Sequence, residues 1–142
     1  MDKYSDLELS ILSCILQKPE LIKNNRLDDK YFIKHKKIWL FMKSFYKKFN
    51  NFDLTLMMAV SKNKHRMIEY IIWLIDKEPT TKMFDLYIDE LIEEYKELEQ
   101  NKYIREKIYE LATDLYLKNI DVKDFKKRCN EIYDNAKEIY KI

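Results

Sequence analysis

The sequence predicts an all-α protein, with a compact helical globule over residues 1–79 and a protruding antiparallel helical hairpin over residues 80–142, together one domain. Three observations lead there. None of the 142 residues is glycine, the usual residue of tight strand-to-strand turns. Apolar residues recur at steps of three and four through most of the chain, which is the helical period. The two prolines, Pro19 and Pro79, each stand alone in a short connecting stretch.

Ser5 and Glu8 have capping-box spacing, and Leu9, Leu12 and Leu16 follow at helical steps, widened by Ile11 and Ile15. This first helix is expected to be buried on more than one side. Pro19 suits the first position of a short helix, Pro19-Glu20-Leu21-Ile22. A connection through Asn24, Asn25 and Asp28 leads to Tyr31-Phe32, and Ile38, Phe41, Met42, Phe45 and Phe49 then mark a helix from about Ile33 to Phe49. Asp53 is placed to cap the next helix, with Leu54, Met57 and Met58. Met67, Ile68, Ile71, Ile72 and Ile75 mark a fifth, which Glu78-Pro79-Thr80-Thr81 ends. Either threonine is able to cap the helix after it.

From Lys82 to about Lys118 there is no proline and no turn cluster. A single long helix is expected, with a bend at Asn101-Lys102 where the apolar steps lapse. A helix of that length outspans a small domain, so part of it must protrude or pack on another chain. Asn119-Ile120-Asp121 allows reversal, with Asp121 as cap. Val122, Phe125, Cys129, Ile132, Ala136 and Ile139 or Tyr140 form the stripe of a last helix.

The missing glycines also exclude functions. A phosphate-binding P-loop, a dinucleotide-binding turn and a G-x-S-x-G nucleophile elbow are all built on glycine. The start has no apolar signal region and the longest uncharged stretch is far short of a membrane span, so a soluble, cytoplasmic protein is expected. Cys14 and Cys129, with His35 and His65, lack the close pairing of a zinc site, and both cysteines fall on apolar faces as small core residues. No cofactor, metal or catalytic constellation is expected.

Charge is segregated. Residues 1–79 carry 15 basic and 10 acidic side chains, and residues 80–142 carry 12 and 15. Seven lysines and no acid lie between Lys30 and Lys48, whereas Asp85–Glu99 holds seven acids and one base. Lys34, Lys36, Lys37, Lys43, Lys47 and Lys48 make a candidate surface for nucleic acid or an acidic partner, with aromatics interleaved. The core-spaced aromatics there are expected inside, while Trp39 and Tyr46 are read as nearer the surface and able to touch a partner.

Several strings, in order and over nearly the whole chain, resemble the N-terminal domain of the DnaB-type replicative helicases. They begin at Leu7-Glu8-Leu9-Ser10-Ile11-Leu12 and continue with Asp29-Lys30-Tyr31-Phe32, His35 and Ile38. Phe52-Asp53-Leu54-Thr55-Leu56 and the segment from Tyr70 to Pro79-Thr80-Thr81 come next. The last are Tyr87-Ile88-Asp89-Glu90-Leu91, Tyr103-Ile104-Arg105 and the terminal Asn135–Ile142. The family's Gly-Gly pair before the Tyr70 segment is replaced by Asn63-Lys64-His65-Arg66. The resemblance implies a non-catalytic domain of replication, whose hairpins pair between subunits and whose surfaces receive primase, helicase or a helicase loader. The family's ATPase domain would come after Ile142, so the chain is expected to be an excised domain or a small protein without it.

The hairpin stripe of Phe84, Ile88, Leu91, Tyr95, Ile104, Ile108, Leu111, Val122, Phe125 and Ile132 is therefore expected to carry folding and self-association, as a dimer or higher oligomer. One alternative is a phage or mobile-element protein acting on a host helicase or its loader. Another is a single-stranded DNA-binding accessory protein using the lysine surface.

Overall fold

The computed structural model describes residues 2–61, 65–77 and 81–139. The expected break at Glu78-Pro79, capping by Thr80, the Asn63-Lys64 replacement and Tyr140–Ile142 lie outside them, as do the side chains of His65 and Ile139. The chain is all-α. Its described residues form six α-helices: α1 (Lys3–Gln17), α2 (Lys36–Phe49), α3 (Leu54–Val60), α4 (His65–Asp76), α5 (Phe84–Tyr116) and α6 (Val122–Ile139). Short 3-10 turns occur at Pro19–Lys23, Asp29–Tyr31 and Thr81–Met83. The helices group into two compact units, Met1–Ile92 and Glu93–Ile142.

In the first unit α1 is the centre. Eleven of its residues are buried, including Leu9, Ile11, Leu12, Cys14 and Ile15, and it packs on α4 and on the Pro19–Lys23 turn. Burial of each large side chain contributes about 1.5–3 kcal/mol. The expected capping box is absent. Asp2 caps α1, accepting from the Ser5 N–H at 2.7 Å. An acceptor one turn earlier releases Ser5 and Glu8, which both reach across to the segment before α2. That segment is not helical at Ile33, so α2 begins at Lys36.

Asp53 caps α3, accepting from Leu56 N–H at 2.9 Å. Arg26 forms ion pairs with Asp85 and Asp89, tying the connection after α1 to the first turns of α5 within the same unit. Helix α5 is 33 residues long and continues through Asn101-Lys102, where both residues are exposed. The lapse in apolar spacing there marks solvent-facing positions, with helix on both sides.

In the second unit, Gln100 Nε2 donates to the Ala136 carbonyl of α6 at 3.2 Å. Gln100 and Ala136 are nearly equidistant in sequence from the Leu117–Asp121 reversal, the register of two helices running antiparallel. The reversal is a Schellman arrangement made without glycine. Lys118 N–H donates to Leu115 and Asn119 N–H donates to Asp114, while Lys118 takes a left-handed φ of 61°. Asn50 ends α2 with the simpler left-handed cap, at φ 57° with its N–H donating to the Tyr46 carbonyl. Asp121 then caps α6, accepting from Asp124 N–H at 2.8 Å.

Two substitutions flanking this reversal are expected to shift the urea midpoint in opposite directions. Lys118→Gly relieves a left-handed residue that carries a Cβ and is expected to stabilise by about 0.5–1 kcal/mol. Asp121→Ala removes a cap and is expected to cost about 1 kcal/mol.

Candidate functional site

The hairpin stripe read from the sequence is distributed over both units. Phe84, Ile88 and Leu91 are buried and belong to the first unit. Leu111 and Ile132 are buried and belong to the second. Tyr95, Ile104, Ile108 and Phe125 are half-buried, and Val122 is exposed. Among the described residues of the second unit, only Leu111, Ile132 and Ala136 are buried.

The apolar steps from Phe84 through Tyr95 include Leu98 in the same stripe, and periodicity does not single out a second line in that unit. Leu98, Tyr109 and Tyr116 are exposed, the last two at 75% and 84%. They are separated by about three and two helical turns, so they share one line along α5. Leu117, Val122 and Tyr133 are also exposed. The sequence signal that could have located this line is the recurrence of Leu98, Tyr109 and Tyr116 outside the inner stripe of Ile104, Ile108 and Leu111.

The lysine surface is as exposed as expected: Lys34, Lys36, Lys37, Lys43, Lys47 and Lys48 all face solvent. They do not form one continuous row of sites. Lys43 Nζ is paired with Asp29 at 2.7 Å, and Lys48 lies over the Phe49 ring. Lys34, Lys36 and Lys37 share a cleft of about 1240 Å³ with Arg66, Leu40, Phe41, Met67 and Tyr70.

Trp39 corrects the sequence reading. It is 1% exposed, stacked on Phe32 at 4.2 Å, and its indole N–H donates to Asp29 at 2.7 Å. The Phe32 segment folds over the face of α2 that spacing left outside. Lys43 and the Trp39 indole together hold the Asp29 carboxyl below its usual range. Tyr46 is half-buried against Phe52, with Lys23 over its ring. Cys14 is buried, which pushes its thiol up to about 11. Cys129 is only half-buried.

The polar node beneath the cleft was not anticipated. Glu8 is fully buried, and its two oxygens accept from the Lys34 and His35 backbone N–H groups at 3.0 and 3.2 Å. Ser5 Oγ shares a 2.8 Å hydrogen bond with His35 Nε2, and the imidazole stacks on Tyr70 at 5.8 Å. Burial pushes the Glu8 carboxyl up, against the lowering effect of its backbone donors. Burial also pushes the His35 imidazole down. Among the described residues no group of His, Cys, Asp and Glu is placed to hold a metal, and no helix is long and apolar enough to cross a membrane.

The node's geometry sets the effect of two substitutions. Glu8→Gln retains one acceptor where two N–H groups converge, and one unsatisfied buried donor is expected to cost about 1–3 kcal/mol in urea unfolding. The His35 value is lower in the folded chain than in the unfolded one. Its contribution is therefore full above about pH 6.5 and is lost as pH falls through the folded value. The raised Glu8 acts oppositely, with a contribution present below its unfolded value and lost as pH rises through the folded one. His35→Gln is expected to flatten the His35 part of this dependence, so the stability gap between it and the wild-type chain narrows as pH is lowered from about 7 to 5.

Comparison with models of protein families, with curated protein sequences and with solved structures finds no match to this chain.

Proposed function

We propose that this chain is a non-enzymatic protein-interaction domain that self-associates through its second unit and serves DNA replication, as the resemblance to the N-terminal domain of DnaB-type helicases implies. The observation that carries self-association is the exposed line of Leu98, Tyr109 and Tyr116 on α5. The exposed Leu117, Val122 and Tyr133 of the same unit add to it.

The physical reason is geometric. Two helices packed side by side each have one face toward the other, and the remaining apolar residues need a third surface. Here the residues left outside are aromatic or large and aliphatic, the types that anchor protein interfaces. A second copy presenting the same surface would bury them symmetrically. The replication setting rests on the ordered strings from Leu7 to Ile142. In that reading, primase, the helicase itself or a helicase loader is the partner of the assembled domain.

Sedimentation velocity tests the proposal. The wild-type chain is expected to sediment as a dimer or larger species, and Tyr109→Glu with Tyr116→Glu to weaken association by about ten-fold or more. Both positions are exposed, so circular dichroism should stay unchanged. A wild-type chain that remains monomeric at high concentration would overturn self-association.

A further inference from the structure

The cleft beside α2 lies wholly within the first unit and is separate from the α5 line. Helix α2 has an apolar core face and a second, mixed face. Ile38, Trp39, Met42 and Phe45 go into the core. Lys37, Leu40, Phe41 and Ser44 sit at i, i+3, i+4 and i+7, forming one stripe about 10 Å long along the cleft. Met67 and Tyr70 of α4 line it as well. At about 1240 Å³, it exceeds the roughly 300–1,000 Å³ of small-molecule sites. A peptide segment fits that size better.

Charge narrows the class of occupant. Lys34, Lys36, Lys37 and Arg66 line the cleft, and no described lining residue is acidic. The first turn of α2 has no acidic residue. The Glu8 carboxyl at this end of the helix is buried behind the cleft wall and engaged by the Lys34 and His35 N–H groups, so the solvent-facing charge of the cleft is that of its lysines and arginine. Beside these charges, Ile33 and Leu40 are 48% and 44% exposed. Both are aliphatic, and the aromatic lining residues are less exposed than they are, Phe41 being packed against Phe45 and Tyr70 against His35 and Trp73. The chemistry that complements lysines around exposed aliphatic groups is an apolar helical stripe flanked by carboxylates. The cleft wall is also held in place, because Glu8 and Ser5 fix the Lys34-His35 backbone and the imidazole. Binding there would require little ordering of the protein.

We propose that this cleft is a docking groove for an acidic amphipathic helix of a partner protein. The test titrates the full chain with a fluorescein-labelled, helix-forming peptide of leucine and glutamate, the leucines spaced i, i+3, i+4 and i+7. A second peptide carries lysine in place of glutamate. The Leu/Glu peptide is expected to bind and to shift backbone amide resonances between Ile33 and Ser44 and between Arg66 and Tyr70. Lys34→Glu with Lys37→Glu should weaken it about ten-fold or more. Leu40→Ser should weaken it too, although neither change touches the core.

Four results would overturn the proposal: equal binding of the Leu/Lys peptide; undiminished binding to both variants; displacement of the peptide by an equal concentration of oligothymidine, which would assign the groove to nucleic acid; or a wild-type dimer dissolved by Lys37→Glu, which would assign it to a second copy. The α5 variants leave the groove intact, so this test and the self-association test fail independently.

Discussion

The first unit depends on a carboxylate buried in its central helix. Helix α1 is enclosed on nearly every side, which is favourable for its leucines and isoleucines and costly for any polar group among them. Glu8 is tolerated because its two oxygens meet two backbone N–H groups of the segment before α2. Two other buried side chains of α1 with polar groups behave in the same way. Ser13 donates to the Leu74 carbonyl at 2.5 Å, and Tyr4 to the Tyr31 carbonyl at 2.6 Å. Residues 33–35 lie between the Asp29–Tyr31 turn and α2, so α1 side chains supply for Lys34 and His35 what a ladder would supply elsewhere. The position of that segment then sets one wall of the lysine cleft.

Much of this architecture was legible in the sequence, because helix formation here obeys a period that a local window reveals. Asp53 and Asp121 cap as their positions suggested, and Pro19 opens a short helical turn. The readings that failed depended on partners distant in sequence. Ser5 and Glu8 have the spacing of a reciprocal cap, but spacing does not reveal that Asp2 is already placed to do that work. Trp39 lies off the apolar stripe of α2, and only the fold shows Phe32 lying across it. The Leu98, Tyr109 and Tyr116 line escaped notice because periodicity reports the dominant stripe of a helix, and α5 carries more than one.

The two units differ in how they use apolar residues. The first surrounds one helix with others and buries side chains from α1 through the opening turns of α5. The second has two helical segments and leaves tyrosines and leucines in solvent. Their charges differ in the same sense, with 16 basic and 13 acidic side chains over residues 1–92 and 11 and 12 over residues 93–142. The interaction surfaces proposed for the two units are accordingly unlike: a basic groove with aliphatic lips on one, an aromatic line on the other.

The chain's two tryptophans sit in contrasting surroundings. Trp39 is dry, stacked and hydrogen-bonded, whereas Trp73 is half in water beside Tyr70, with Lys77 over its ring. The molecule therefore carries two intrinsic emitters of different colour, both in the first unit. The second unit holds only tyrosine as an aromatic chromophore apart from Phe125. Indole emission thus originates in the first unit alone, whereas phenol emission originates in both, since Tyr4, Tyr31, Tyr46, Tyr70 and Tyr87 also belong to the first.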